Sequence, residues 1–563
     1  MHIIHKLAER DKEASKILSE SLHISNFLSV LLVTRGILNE QETIAFLNPQ
    51  LSDLIDPFIM KDMDKAVERI IQALSVGEKI LVYGDEDVDG MCSTVLLVDI
   101  LKDLGGKVSY IIPNKAKDGI GLKEKFIDQA KENEFRLIIT VDCGISNFSQ
   151  VDYAQSRGID VVITDHHETL NELPKAIAIV DPKRKDDPYP FKWLSGAGVA
   201  YKVGQAIAMK KLNLSWDQWI SVKRNLLSYV MLGTIGDRVP LVKENRIFVR
   251  YGLEELTKSK RSSWVAAICK NSRLEIKPFS ISTILNNFIP LLSAGESVDG
   301  KNISCELLLS KNYQKAEEWA SELYFASRDW LYRARTTYSR MKSTISVSNQ
   351  SNVVIVVDKE ASVDVLSYCT SKLKDGFNKP VIVLGFKDDH IIGEARAPKG
   401  FNLMVCFEKC SEYFLDYGGH KCAAGFSSKI ENLAQIRKKL VEVAETVFKE
   451  QSASNQPNLK VEITLDELNS QLISEVIRLA PFGEGNPTPT FLCNQVYIQR
   501  IRSGFHAPVH NIIFWATRKI RHNWVFPYGH PVKVNLSFII DGNGKLFITD
   551  FEPVESRFSR SFS

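Results

Sequence analysis

The sequence of 563 residues has no CxxC pair, no run of eighteen apolar residues, no repeat of fixed period and no excess of charge of one sign. Without CxxC pairs a thiolate zinc site is excluded; Cys406 and Cys410 are four apart, but no second pair completes a site. The nine cysteines are an odd number and read as reduced thiols in a reducing compartment. Without a long apolar run, no helix is expected to span a membrane. The opening Met-His-Ile-Ile-His-Lys-Leu-Ala-Glu-Arg has no apolar core, so no secretory leader is expected. Lys+Arg 71 against Asp+Glu 68 leaves a net charge of +3, so a nucleic-acid surface has to be a local asymmetry.

What is present is an ordinary globular composition, 44% hydrophobic and 25% charged, in a chain long enough for about four domains. Residues 1 to 60 read as short helices. Then short apolar runs alternate with helical patterns. Ile80–Tyr83, Val108–Ile112, Leu137–Val141, Val161–Thr164 and Ala176–Val180 are strand-like, and helices are expected over Ser93–Leu104 and Lys123–Glu132. Continuous apolar strands with helices between them indicate a parallel sheet covered on both faces. From 195 to 345 the pattern is mostly helical. Tyr313–Ile345 has no Gly or Pro, mixes aromatic with charged residues, and reads as a long helix joining two lobes. Val353–Val357 and Pro380–Leu384 open a second alternation, closed by a helix over Leu433–Phe448. A polar linker follows at 451–458, and 459–555 reads as a small β-barrel.

Four of the strand-like runs end in carboxylates. Asp85-Glu86-Asp87-Val88-Asp89-Gly90 follows the first, Asp142 the third, Asp165-His166-His167 the fourth and Asp181 the fifth. Ligands bind at the carboxyl ends of strands in such sheets, so these groups should converge on one edge. Gly233-Thr234-Ile235-Gly236-Asp237 adds another Asp in a glycine-flanked turn. That many carboxylates repel one another in a partly buried site, and divalent cations are the simplest remedy. Carboxylate oxygens with a His nitrogen suit Mn²⁺ or Mg²⁺. Taken singly, a strand-terminal Asp is commonly a helix cap. The DxDxDG run is no EF-hand, because Leu96 stands where the Glu is needed.

These strings resemble the successive motifs of the DHH phosphoesterases. Gly418-Gly419-His420-Lys421-Cys422-Ala423-Ala424-Gly425-Phe426 resembles the GGH motif of the DHHA1 domain, and Ala480-Pro481-Phe482-Gly483-Glu484-Gly485-Asn486-Pro487 resembles the start of the third domain in the RecJ branch. The resemblance runs from about 60 to 555. It implies an α/β, two-lobed architecture: a helical lead at 1–60, a parallel-sheet DHH catalytic lobe at 61–310, a linking helix at 311–350, a second α/β lobe (DHHA1) at 351–450 and an OB-like β-barrel at 459–555. The implied activity is single-strand-specific 5′–3′ DNA exonuclease with two Mn²⁺ or Mg²⁺ ions, in repair and recombination. The implied setting is the cytoplasm, with single-stranded DNA, a helicase and a single-strand-binding protein as partners and no membrane. A monomer is the default expectation. A phosphodiesterase for short or cyclic oligonucleotides and a non-catalytic strand-binding scaffold are the alternatives. The first lacks an OB-like domain, and the second expects lost acidic motifs.

Carried over residue by residue, the resemblance implies metal binding by Asp87, Asp89, Asp142, His166 and Asp237, with Asp142 bridging. Asp85 and Asp165 become acidic support in the catalytic set, and His167 faces the scissile phosphate. Lys115 stands where the family loop carries Arg, and Ile120 where it carries an aromatic. Arg396, with Gly418, Gly419 and His420, would bind substrate in the cleft between lobes. Glu394 replaces the Ser of a Ser-x-Arg element that holds a 5′ phosphate, and a carboxylate there repels phosphate. The stretch Phe288–Glu296 lacks both arginines and the Asn that the family carries.

Between Gly485 and Ile540 there is no Asp or Glu. The span holds Arg500, Arg502, Arg518, Lys519, Arg521 and Lys533 among nine Phe, Tyr and Trp residues. Cations for the backbone and aromatics for stacking are what a single-strand binder needs, although at least half of the aromatics are expected in the barrel core.

Overall fold

The computed structural model describes residues 9–554 except 120, 170–171, 259–261, 276–277, 346–351, 399, 452–459, 502–503 and 517–530. It divides into two units, Met1–Tyr324 with Leu459–Ser563, and Phe325–Asn458.

The first unit is built on five parallel strands: β1 (Lys79–Gly84), β2 (Lys107–Ile111), β3 (Phe135–Val141), β4 (Asp160–Thr164) and β5 (Ala178–Val180), in the order β2-β1-β3-β4-β5. Successive side chains of a strand face opposite sides, and both sides are apolar here. Ile80, Val82, Leu137 and Ile139 enter one core, with the helices Met63–Val76, Val88–Asp103, Gly196–Leu212 and Leu227–Gly236. Leu81, Tyr83, Ile138 and Ile163 enter another, with the helices Glu124–Glu132 and Phe148–Ser156. The strand order reverses between β1 and β3, so the carboxyl ends of these two strands flank a crevice.

One boundary differs from the expectation in a way that matters. The helix after β1 begins at Val88, five residues earlier than Ser93. Asp87 caps it, its carboxylate accepting from the Gly90 N–H at 2.9 Å. The acidic run is therefore half turn and half first helical turn. In the mostly helical region that follows, a two-strand hairpin, β6 (Ser297–Val298) and β7 (Lys301–Asn302), is an addition to the expected pattern.

The second unit carries a mixed sheet of β8 (Val354–Val357), β9 (Val381–Lys387), β10 (His390–Arg396), β11 (Asp416–His420) and β12 (Ala423–Lys429), ordered β11-β12-β10-β9-β8. Only β8 and β9 pair in parallel. Val354, Val356, Val381 and Val383 pack with Leu366, Cys369, Ala334 and Met341, the last two from the long helix Tyr313–Thr344. Ile382, Leu384, Ile391 and Phe426 pack on the other face with the helix Leu433–Gln451.

The C-terminal strands are β13 (Lys460–Glu462), β14 (Thr490–Ile501), β15 (Gly504–Ala507), β16 (Ile512–Ala516), β17 (Val532–Ile540) and β18 (Leu546–Pro553). The ring β14-β15-β16-β18-β17 closes through β14–β17 pairing, giving a five-strand barrel with β13 beside β14. Its core, around Phe491, Phe514 and Phe538, also takes in Leu28, Leu31, Leu32 and Phe46 from the N-terminal helices. Arg35 fastens this joint, donating to Asn486 Oδ1 (2.9 Å) and to the carbonyls of Leu31 and Pro487 (2.6 and 2.9 Å). Asn486, fully buried, donates to the carbonyls of Leu479 and Pro481 (2.8 Å each). The Ala480–Pro487 string is thus a structural clasp between the two ends of the chain.

Candidate metal centre

The acidic groups meet at the carboxyl ends of β1, β3 and β4. Asp89, in the first turn after its cap, is buried and held by the N-terminus of the helix Gly196–Leu212: the Gly196 and Ala197 N–H groups donate to its two oxygens at 2.6 and 2.9 Å. Asp142 follows β3 in the left-handed region (φ +60°), a conformation that Asp tolerates better than most residues, and is buried. Its N–H bonds the Thr164 carbonyl, which locks that geometry to β4. Asp237 caps the end of the helix Leu227–Gly236.

His166 stands among them. Its Nδ1 lies 3.0 Å from the carbonyl oxygen of Leu194. A carbonyl only accepts, so Nδ1 carries the proton. Burial pulls the imidazole pKa down, so the ring is neutral and Nε2 presents a lone pair. That lone pair lies 3.0 Å from Asp142 Oδ1, 3.8 Å from Asp237 Oδ2 and 3.9 Å from Asp89 Oδ2. Asp142 Oδ1 is buried and has no hydrogen-bond donor among the described residues. Two groups of ligand atoms, Asp142/His166/His167 and Asp89/His166/Asp237, each lie within 4.8 Å of one another. The donor set, carboxylate oxygens with an imidazole nitrogen, fits a hard divalent cation.

The electrostatics agree. Burial, then repulsion from Asp89, Asp87 and Asp85, holds Asp142 well above the ordinary carboxylate range. Burial and the neighbouring carboxylates push Asp89 and Asp237 up to about 7. Asp85, next to Asp87, is raised as well. Neither Asp85 nor Asp87 belongs to the two ligand groups, but the charge of Asp87 acts on Asp89, Asp142 and Asp237.

Asp165 is spent differently. Its Oδ1 accepts from the backbone N–H of His166 (2.8 Å) and His167 (3.2 Å) and from His167 Nδ1 (2.8 Å); its Oδ2 accepts from the Ile145 N–H (3.0 Å). Burial alone would raise its pKa, yet these bonds and the charge of His167 hold it below the usual value. His167 is 47% exposed. Partial burial opposes its charge, but the Asp165 bond and the surrounding carboxylates win, raising it to about 9.

Of the groups that support the site, Gly196 was missed in the sequence, while Gly233, Asp181 and Glu86 stand in strings singled out there without these roles. Gly196 and Gly233 leave the room that Asp142 and Asp89 occupy: a Cβ on Gly196 would lie 2.4 Å from Asp142 Oδ1, and one on Gly233 2.3 Å from Asp89 Oδ1. The string Leu194-Ser195-Gly196-Ala197-Gly198, a Ser cap in a glycine-rich turn, was the available signal for the first. Asp181, fully buried after β5, is raised to about 7 by burial and by Asp165. Glu86 joins two loops, accepting from the Lys115 N–H (2.6 Å) and the Ser297 N–H (3.3 Å). Lys115 is exposed at the start of the short helix Lys115–Asp118, and its charge acts on Asp85. Ile120 lies outside the described residues.

The remaining candidates lie in the second unit. Arg396 ends β10, and its guanidinium is already engaged: Nη1 meets Glu394 Oε2 at 3.0 Å and the Ala395 carbonyl at 2.8 Å, and Nη2 meets the Ser367 hydroxyl. Gly418, Gly419 and His420 belong to β11. The freedom of Gly419 (φ +133°) serves strand pairing, since a Cβ there would lie 2.5 Å from the Ala423 carbonyl oxygen. The side chain of His420 lies outside the described residues. In the barrel, Phe491, Phe505, Phe514 and Phe538 are core, four of the six aromatics of that span among the described residues. Tyr497 and Trp515 are exposed, with Lys533 and Lys545 over their rings at 5.9 and 5.5 Å. Arg502, Arg518, Lys519, Arg521, Trp524, Phe526 and Tyr528 lie outside the described residues.

Comparison with known proteins gives a consistent result. Residues 79–234 match the DHH family N-terminal domain, 349–446 the DHHA1 domain and 459–505 the RecJ OB domain. The single-stranded-DNA-specific exonuclease RecJ of Bacillus subtilis is 34% identical over 498 residues, 87% of this chain and 62% of that protein, so the chain spans under two thirds of that relative. RecJ of Dickeya dadantii is 29% identical over 519 residues, 87% of each. The crystal structure of Thermus thermophilus RecJ in complex with Mn²⁺ superposes with a TM-score of 0.74 at 21% identity, over 97% of this chain and 78% of that one, a likeness of fold. With the DHH, DHHA1 and RecJ OB domains matched in order and RecJ relatives matched over most of its length, the chain belongs to the RecJ family of DHH proteins.

Proposed function

We propose that this protein is a metal-dependent exonuclease that hydrolyses single-stranded DNA stepwise from the 5′ end, in repair and recombination. The observation that carries the reading is the contact between His166 Nε2 and Asp142 Oδ1: a lone pair and a donorless carboxylate oxygen 3.0 Å apart in a buried site. A metal ion shared by the two would relieve that repulsion without disturbing the Leu194 bond, in place of the proton that Asp142 is otherwise driven to keep. Asp87, Asp89, Asp142, His166 and Asp237 would hold two Mn²⁺ or Mg²⁺ ions. Bound there, the ions supply Lewis-acid activation of water and neutralise phosphate charge. The names of the curated relatives support the substrate class.

The chain's own groups do the rest. Asp165 orients the histidine pair and keeps His167 protonated at neutral pH, so His167 offers an N–H and a positive charge to the scissile phosphate. Lys115, Arg396 and the Gly418-Gly419-His420 strand serve as phosphate contacts. Tyr497 and Trp515 offer stacking faces on the barrel. Asp85 and Asp165 complete the acidic support. A helicase and a single-strand-binding protein fit as partners, and a monomer in the cytoplasm completes the reading.

The test is a degradation ladder with Mn²⁺ on single-stranded oligonucleotides labelled at the 3′ end. Stepwise shortening from the 5′ end, lost in Asp165→Ala and His166→Ala, is expected. Intact strands with tight binding retained would replace the enzyme by a strand-binding scaffold.

A further inference from the structure

The long helix Tyr313–Thr344 joins the chain's two units, and its composition asks for more than a connector. Within the second unit its buried side carries Ala334, Thr337 and Met341. On the opposite side Phe325, Arg328, Tyr332, Arg335 and Lys342 recur at helical spacing, within a sector of about 100°. All five are exposed, Phe325 by 67% and Tyr332 by 71%. The two rings lie two turns apart, about 10 Å along the axis.

The cations of this helix fall into two rows. Arg333 is tied to Asp329 (3.0 Å) and Asp364 (3.1 Å), and Arg340 grips Asp358 with three bonds of 2.9–3.0 Å. Those two hold the helix to its own unit. Arg328, Arg335 and Lys342 make no hydrogen bond or ion pair among the described residues, and they alternate with the exposed rings. Isolated exposed aromatics are normal, but two large rings on one face, interleaved with three unpaired cations, form a pattern. Two apolar side chains are too few to insert into a membrane, and a protein partner would be expected to meet a broader apolar face. Rings that stack on bases, with cations between them to meet the backbone, match a flexible polyanion with flat faces.

We propose that this face is a track for single-stranded nucleic acid, made of residues other than those of the metal centre and the barrel. The choice of DNA as the strand rests on the exonuclease reading; the track itself does not. The buried side chains and the flanking ion pairs of Arg333 and Arg340 position the helix, and the exposed side gives a strand several nucleotides of extra contact.

The test is fluorescence anisotropy of labelled oligo-dT with the full chain in EDTA, where no hydrolysis is needed. Three proteins are compared: wild type, Phe325→Ala/Tyr332→Ala, and Arg328→Gln/Arg335→Gln/Lys342→Gln, each checked for unchanged thermal unfolding. The aromatic pair is expected to weaken binding about tenfold or more at every salt concentration. The triple variant is expected to flatten the slope of log affinity against log salt by about 2, from about 0.7 per lost contact on a single strand. Tyr332→Phe, which keeps the ring, retains wild-type affinity. Hydrolysis of a dinucleotide stays unchanged in all variants. Wild-type affinity and salt slope in both multiple variants would overturn the proposal, as would equal losses of affinity for a dinucleotide, which is too short to span the two rings. A chain that binds strands through this face but cleaves none would instead overturn the exonuclease reading and leave the track standing.

Discussion

His166 has little freedom, and that is what makes the centre legible as a cation site. Its Nδ1 is fixed by Leu194, so Nε2 must face the carboxylates whatever the pH. Asp89 and Asp237, raised from an ordinary value of about 3.9 to about 7, bind protons more tightly in the folded chain than in the unfolded one. The folded state then holds more protons between these values, so stability falls as pH rises through that window. His167 acts in the same direction: its contribution is present below about 6.5 and is lost as pH rises through about 9. In EDTA, therefore, the melting temperature is expected to fall from pH 5 to pH 8. Mn²⁺ should restore it, more strongly at pH 8, because the ion takes the place of the protons. A melting temperature that rises with pH in EDTA would contradict this. At the same scale, Gly233→Ala puts a Cβ against Asp89 and should lower activity by about 10–100-fold while the fold remains, as judged by circular dichroism.

At the scale of elements, the sequence showed most of the first sheet. The runs 80–83, 137–141 and 161–164 are continuous and apolar, and the structure uses both of their faces, as such runs require. The start of the helix at Val88 was hidden because an acidic run reads equally as a turn, until Asp87 is seen accepting from Gly90. The antiparallel strands β10–β12 were hidden for a different reason. Their glycines and short alternation give little apolar periodicity, and pairing across β10 and β12 decides them. Glu394 stands where the resemblance places a Ser, and the structure shows it engaging the Arg396 guanidinium, together with Ser367 from a separate helix. Freeing that group is a test at this scale. Glu394→Ser is expected to raise the preference for 5′-phosphorylated over 5′-hydroxyl strands by about fivefold in kcat/KM, the worth of one partly exposed ion pair. An unchanged ratio would mean that Arg396 does not meet the 5′ end.

At the scale of the molecule, the two ends of the chain share one core, a feature no local pattern could announce. Leu28 and Phe46 lie more than 400 residues from Phe491 and Phe538, yet they complete the same barrel core. Arg35 and Asn486 hold the joint, and Arg246 reinforces it by donating to the carbonyls of Phe46, Leu479 and Ala480 at 2.7–3.0 Å. Arg35→Ala removes charged hydrogen bonds and should cost about 1.5–3 kcal/mol of stability, with kcat on a short strand unaltered. Limited proteolysis should then release the N-terminal helices first. Loss of kcat at full stability would mean that the joint is part of the catalytic machinery.

The most direct measurement of the central claim is an Mn²⁺ titration of the purified chain by electron paramagnetic resonance, beside Asp142→Asn and His166→Ala. The account predicts that the wild type takes up two ions and that each variant loses at least one, with the Mn²⁺-dependent hydrolysis of a 3′-labelled strand lost in parallel. Equal uptake by wild type and both variants would contradict it, because the ions would then be held somewhere other than the cluster around His166.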